Sequence, residues 1–364
     1  TPSFTFTETH TNSPTYTWTE TLTITSTITQ TDTPTITSTL TFTVTPTLTP
    51  VFTPGRPYDF YAEQQGVNTY LRWNDVVNTD YYKIYSATGV FGKFNPFPDG
   101  WTVIATVEPT PTICSYLYQD MSGETYRYYL VTGVNEAGES DPSTMGAKVV
   151  LSFYFKANMP NAYLISLPYK SKFSHVSDIV FDIEEDYSSS DKINRVGLWY
   201  PNYQAFSMYN FISSLGAWVG INWSVDPGTT SSNAIYMNVT STAAPFTWTV
   251  AGTDKNADMI IKRYSNQPND NPRQIPWTGK YRKASDIVKE IEGGIGPGTN
   301  TKIIKLGLWH REAQAYSFYM YNDSVGTWIG IDFDVKPGDV INIYPGSGIS
   351  SFTWTPALVL TPEP

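Results

Sequence analysis

The sequence predicts a mainly β protein: a sandwich, two tandem β-rich domains each with one short helix, and an extended N-terminal strand. Three observations predict it. Aromatic residues equal charged ones at 15% each, with 26 Tyr, 18 Phe and 11 Trp, a composition rich in strand formers and poor in the charge that covers surface helices. The first 50 residues alternate with a period of two. The last two hundred or so contain an internal repeat displaced by 106 to 110 residues. At roughly 150 residues per domain the length leaves room for two or three domains. Together these signals divide the chain at 1–55, 56–149, 150–256 and 257–364.

In the first segment all 25 odd positions from 1 to 49 are hydroxylic, 23 of them Thr with Ser3 and Ser13, and no even position is Thr. The even positions hold five prolines and twelve large apolar residues: Phe4, Phe6, Tyr16, Trp18, Leu22, Ile24, Ile28, Ile36, Leu40, Phe42, Val44 and Leu48. Period two is an extended strand whose alternate residues face opposite ways, and β-branched Thr favours that backbone. At about 3.3 Å per residue such a strand reaches roughly 165 Å. A Thr/Pro-rich stretch also fits a mucin-like disordered linker, but disorder needs no parity and goes with low hydrophobicity. A lone strand cannot satisfy its own backbone or hide an apolar face. The expected cover is another copy of the chain, with the twelve apolar residues as subunit contacts. No Lys or Arg stands among residues 1–55 to guard the edges. The opposite face supplies candidate O-glycan sites at Thr5, Thr7, Thr15, Thr17, Thr19, Thr21, Thr23, Thr25, Thr27, Thr29, Thr35, Thr37, Thr39, Thr41 and Thr43.

Residues 56–149 begin with Pro57 and Phe60, continue through Tyr70-Leu71-Arg72-Trp73 and Tyr81-Tyr82-Lys83-Ile84-Tyr85, and close with a long strand from Tyr126, an Asn135-Glu136-Ala137-Gly138 turn and a Ser140-Asp141-Pro142 exit. This pattern resembles a fibronectin type III domain. The resemblance implies a seven-stranded antiparallel sandwich with Trp73 in its core and Tyr126 as the tyrosine corner. An aromatic insertion at 89–101, with Phe91, Phe94, Phe97 and Trp101, is either a cap or a contact loop.

The repeat matches Ser177-Asp178-Ile179-Val180 to Ser285-Asp286-Ile287-Val288 and Val196-Gly197-Leu198-Trp199 to Leu306-Gly307-Leu308-Trp309. It also matches Gly216-Ala217-Trp218-Val219-Gly220-Ile221 to Gly326-Thr327-Trp328-Ile329-Gly330-Ile331, Pro227-Gly228 to Pro337-Gly338, and Phe246-Thr247-Trp248-Thr249 to Phe352-Thr353-Trp354-Thr355. Each copy reads as an opening strand, a helix with Ser177 or Ser285 as N-cap and Ile179, Val180, Ile183 or Ile287, Val288, Ile291 inward, then a long alternating strand (196–209, 306–321), a Pro-Gly turn and a closing Phe-Thr-Trp-Thr strand. The pattern resembles an uncharacterised module of exported prokaryotic surface proteins. In the second copy Gln274-Ile275-Pro276-Trp277 replaces residues 165–169, which leaves the first strand's register open.

Chemical motifs are scarce. Nucleophile elbows, phosphate loops and metalloprotease signatures are missing, the three histidines are far apart, and the single Cys114 reads as a small core residue. The acids Asp182, Glu184, Glu185 and Asp186 read as a solvated helix face rather than a calcium loop, and Asp332, Asp334 and Asp339 cluster around the second Pro-Gly turn. Neither catalysis nor a cofactor is expected. Trp199, Trp218, Trp309 and Trp328 repeat at equivalent places and read as core, whereas unrepeated Trp223 is the candidate sugar platform. Asn222, Asn238 and Asn322 open N-glycosylation tripeptides. A net charge of -10 argues against nucleic acid or anionic membrane, and no stretch approaches 18 apolar residues. An opening at Thr1 without Met or leader is what a processed or truncated exported protein shows. The expected function is a structural subunit of an extracellular filament or surface appendage of a prokaryote, polymerising through its Thr-rich strand. The alternative is a carbohydrate-binding or adhesive portion of a larger secreted protein with a glycosylated stalk, and ice binding through Thr arrays is a distant third.

Overall fold

The computed structural model describes residues 15–29, 37–89, 97–120, 123–225, 234–254, 257–265 and 269–359, with residues 15–29 and 37–50 described by their backbone. The chain is mainly β, with several antiparallel sheets and two helices among the described residues.

Residues 58–153 form a sandwich of two sheets. One contains β3 (Tyr58–Gln65), β4 (Asn68–Asn74) and β7 (Ile113–Gln119); the other contains β5 (Tyr81–Thr88), β6 (Thr102–Val107), β8 (Tyr126–Asn135) and β10 (Gly146–Phe153). A two-residue strand β9 (Gly138–Glu139) flanks β8. Alternation decides what is inside: Leu71 and Trp73 of β4 point into the core with Phe60, Ile84, Cys114, Tyr129 and Val131, and Trp73 meets Tyr82 edge-on at 5.4 Å. The seven expected strands and the core positions of Trp73 and Cys114 are therefore present. Tyr126 is not the expected corner. Its ring packs on the neighbouring repeat and faces Arg311 and Asp339 of the second copy, so it serves a junction between units. Of the insertion, Phe97 stacks edge-on against Tyr85 and Trp101, and Trp101 packs on the first repeat's core; Phe91 and Phe94 lie outside the described residues.

The two repeats have one topology. The first sheet runs β11 (Ala162–Ile165), β15 (Ile235–Val239), β12 (Ile193–Tyr200), β13 (Ala205–Ile212), β14 (Ala217–Gly220). The second runs β18 (Pro272–Gln274), β22 (Val340–Pro345), β19 (Ile303–His310), β20 (Ala315–Asn322), β21 (Thr327–Gly330) in the same order. The long strand expected at 196–209 and 306–321 is two strands joined by a hairpin, because Gln204 and Gln314 adopt positive φ (49° and 51°) and turn the chain back.

Helices α1 (Val176–Glu184) and α2 (Ala284–Glu292) bury the expected isoleucine and valine face. Their N-caps are His175 and Lys283, not Ser177 and Ser285. The reason is a cap supplied from elsewhere: Asn222 and Asp332 accept the Ser177 and Ser285 N–H groups at 3.0 and 2.8 Å. Asp178 and Asp286 reach back to the N–H groups of His175 and Lys283 at 2.9 and 3.1 Å.

The boundary drawn at 149/150 falls inside β10. This strand pairs with β8 over Gly146–Val149 and with β16 (Phe246–Thr253) along its whole length, so one sheet runs from the sandwich into the first repeat. In the second copy the same pairing survives as a short remnant: β17 (Met259–Ile261) with β23 (Phe352–Trp354), Met259 opposite Trp354 as Leu151 is opposite Trp248.

The copies also pack on each other. Leu164, Phe206 and Tyr236 of the first meet Trp309, Tyr316 and Val340 of the second. Lys156 Nζ donates to the Glu312 carbonyl, and the equivalent pair, Tyr264 OH to Asn202 Oδ1, measures 3.0 Å, which marks an approximate two-fold between the copies. Trp277 crosses from the second copy into the first copy's core and donates to Ser166 Oγ at 3.0 Å.

Candidate assembly surface

The N-terminal segment is not a single extended strand. β1 (Thr15–Thr29) and β2 (Thr37–Val51) pair antiparallel from Thr15 opposite Val51 to Thr29 opposite Thr37, so the segment folds back and spans about 50 Å rather than its full extended reach. Pairing satisfies one backbone edge of each strand, which a lone strand cannot do. Odd residues pair with odd, as in Thr23 with Thr43, and even with even, as in Trp18 with Leu48 and Ile24 with Phe42. By the pleat, Tyr16, Trp18, Leu22, Ile24, Ile28, Leu40, Phe42, Val44 and Leu48 share one face of the ribbon and the threonines take the other. Phe4, Phe6, Ile36, Thr5, Thr7 and Thr35 lie outside the described residues.

The ribbon still has two outer edges, and a two-stranded ribbon is marginal in water by itself. The edges differ. In an antiparallel strand each residue turns both its N–H and its C=O to one side, so a proline deletes a donor from one edge only. β2 contains Pro46 and Pro50, while β1 contains no proline. The outer edge of β1 therefore keeps every donor.

The root of the ribbon is clamped to the sandwich. Asn135 Nδ2 donates to the carbonyls of Phe52 and Asn78, each at 2.8 Å, and Pro54 is buried. Glycine lets the chains approach: a Cβ on Gly133 would lie 3.1 Å from Pro54, and Gly138, at φ +141°, faces Thr53 at the same distance.

The acidic residues have structural partners. Asp182 pairs with Lys172 and accepts the Trp248 indole N–H at 2.7 Å. Glu184 is buried and accepts the backbone N–H groups of Asp191, Lys192 and Ile193 at 2.9, 3.0 and 2.6 Å. Glu290 and Glu292 do the same work in the second copy, on the Trp354 indole and on the N–H groups of Thr301, Lys302 and Ile303. Asp186 caps Ser188, and Glu185 is the left-handed C-cap of α1. Asp339 sits 3.3 Å from Arg311, and burial raises its pKa above the ordinary carboxylate range. The backbone of Asp334 bridges Lys283, and Asp332 caps α2. Among the described residues no three His, Cys, Asp or Glu side chains gather closely enough to hold a metal ion.

Trp218 and Trp328 lie in the cores and donate to the carbonyls of Ser189 and Thr299, both at 2.9 Å. Trp199 and Trp309 stack edge-on against Phe206 and Tyr316. Trp223 is not a surface platform: it is 3% exposed, in the first copy's core, where its carbonyl accepts the Val176 N–H. Phe333 holds the equivalent buried position, so the pair is conserved in burial although not in type. The amide of Asn222 is engaged in capping α1, also donating to Ser177 Oγ. Asn238 is unsuited to a glycan, since it lies within the β15 ladder, donates to the Pro160 carbonyl and precedes a buried Thr240. Asn322 ends β20 at an exposed turn and accepts the Ser324 N–H.

Two features had no sequence signal. One is an open polar cleft of about 500 Å³ formed by Ser190, Asn194, Arg195, Asn210, Ser213 and Thr242, in which Arg195 Nε donates to Asn210 Oδ1 at 2.8 Å. Its walls come from three separated stretches, which periodicity cannot bring together. The other is the edge of β14, which has no outer partner among the described residues.

No family model matches the sequence, and no curated protein matches it. Solved structures similar to this chain include a mutant of FN3tt, at 21% identity over 26% of this chain and 92% of that one with a TM-score of 0.21. An Fn3-like protein from Clostridium thermocellum is similar at 24% identity over 24% of this chain and 84% of that one, TM-score 0.20. The chicken CNTN1 FN1-FN3 domains align over 84% of this chain and 99% of theirs at 9% identity, TM-score 0.20. No helix among the described residues is long and apolar enough to cross a membrane.

Proposed function

We propose that this chain is a non-catalytic structural subunit of an extracellular filament or surface appendage, joined to other copies through its threonine-rich ribbon and carrying O-glycans on the threonine face. The observation that carries this reading is the ribbon itself. It sets its large apolar positions apart from its threonines in register across two strands, yet it forms a sheet of two strands only among the described residues. Its root is tied to the sandwich by the Asn135 amide and by buried Pro54, as a connection between subunits requires. The buried polar roles of the acids support a scaffold rather than a reaction centre. The test is removal of residues 1–51, which stops short of the clamped Phe52 to Pro54 segment. The full chain should sediment as fibres visible by negative-stain microscopy and the shortened chain as monomer; equal fibre formation by both would end the proposal.

The cleft at Arg195 and Asn210 favours a second reading, adhesion to surface glycans, because hydroxyls and amides around one guanidinium suit a sugar. Pull-down on polysaccharide by the parent, lost in Arg195→Ala, would support it.

A further inference from the structure

Among the described residues each repeat sheet has an edge strand with no outer partner, β14 in the first copy and β21 in the second. Natural proteins protect such edges with charge, proline or a bulge. β14 has none of the first two. Residues 205–224, which include β13, its turn and β14, contain no Asp, Glu, Lys, Arg or His. They also present aliphatic side chains to solvent: Leu215 is 67% exposed, Val219 45% and Ile221 63%. Val219 pairs with Asn210 and Ala217 with Ile212, so Val219 shares one face of the sheet with Ile212, which is also exposed, and Ile221 follows just past the strand's end.

The second copy keeps the shape and adds charge. Val325, Ile329 and Ile331 are exposed at the equivalent positions, but Asp323, Asp332 and Asp334 stand beside them. The N-terminal segment carries three acids and no Lys or Arg in residues 1–55, so these aspartates disfavour it at β21, whereas residues 205–224 around β14 carry no acid.

We infer that β14 is the acceptor for the β1 edge of a second copy of this chain, an inference that rests on the filament reading above and names its joint. The donor edge is complete, since β1 lacks proline, and its one charge is Glu20. Adding the ribbon to β14 makes a seven-stranded sheet, supplies partners to the unpaired backbone of both edges, and extends the ribbon's apolar face over Ile212 and Val219. One donor and one preferred acceptor per chain give a head-to-tail contact that does not close, hence a linear fibre.

The test uses the full chain, in which the native thiol Cys114 is buried. Under mild oxidation Ile24→Cys combined with Val219→Cys should give a ladder of disulfide-linked oligomers on a non-reducing gel. Ile24→Cys combined with Val67→Cys, an exposed turn position of the sandwich, should not. Single gatekeepers separate the two edges: Val219→Lys should reduce fibre mass at least about tenfold, while Ile329→Lys leaves it within about twofold. Both sites are solvent-exposed, so circular dichroism and the melting curve should be unchanged and loss of folding excluded. Fibres that persist in Val219→Lys, or an equal ladder from Val67→Cys, overturn the acceptor assignment and leave the filament reading intact. A full chain that stays monomeric overturns both.

Discussion

Trp277→Ala is expected to uncouple the two repeats. The indole is 1% exposed, belongs by sequence to the second copy, and sits in the core of the first with its N–H on Ser166 Oγ. A buried Trp removes about 150–250 Å² from water, which at roughly 25 cal/mol per Å² is an upper figure of about 4–6 kcal/mol. Measured truncations of buried aromatics cost about 3–5 kcal/mol, and a lost hydrogen bond of about 1 kcal/mol falls within that range. A loss near 4 kcal/mol at about 2–4 °C per kcal/mol lowers the transition by roughly 8–16 °C. Scanning calorimetry should show more than this shift. The parent, whose repeats share Trp277, should melt in one transition, and the variant should split because the second copy loses its anchor. Trp277→Phe, which keeps most of the ring but not the donor, should fall between. A stability loss below about 1 kcal/mol for the alanine variant would refute the claim that the copies share a core.

Three further outcomes follow from buried polar groups. Asp120 holds both Arg127, at 3.1 Å, and Lys148 inside the sandwich, so Asp120→Ala leaves two buried cations and should cost about 3–5 kcal/mol in urea unfolding. Glu184→Gln and Glu292→Gln should each lose about 1–3 kcal/mol and by similar amounts, because each carboxylate serves three backbone N–H groups at the same place in its repeat. Asp254 is fully buried, taking the Thr278 N–H at 2.8 Å, and burial raises its pKa. Its protonated form is favoured on folding, so its contribution is greatest in acid and is lost as pH rises through the raised value. Asp254→Asn should therefore gain stability relative to the parent between the ordinary carboxylate range and neutrality, as read from paired melts across pH.

Much of the fold was legible because period and repetition are local signals. The resemblance carried by Tyr70-Leu71-Arg72-Trp73 placed Trp73 in the core, and the displaced motifs located two copies with the same strand order. What failed was three-dimensional. The caps of α1 and α2 come from Asn222 and Asp332, some 45 residues downstream, so the nearby serines misled. Trp223 looked distinctive because it was unrepeated by type, whereas burial alone was repeated, with Phe333. The hairpin turns at Gln204 and Gln314 carry no glycine signature, so two strands read as one. In the N-terminal segment parity gave strand, but it holds equally for one strand or for two folded together in even register, and only the pairing distinguishes them. The cleft and the bare β14 edge depend on which loops and strands meet, and composition is silent on that.

The strand shared by sandwich and first repeat bears on mechanics. β10 is held by eight ladder pairs to β16 while half of it also pairs with β8. Tension applied along these strands would load the ladder in shear, so all its rungs resist together rather than parting one at a time. The sandwich cannot shed that strand without opening the repeat, and the repeat cannot release it without opening the sandwich. In the proposed fibre, a tether pulled from the β1–β2 end would meet two domains that share this strand, and rupture would be directed to the joints between chains rather than into either domain.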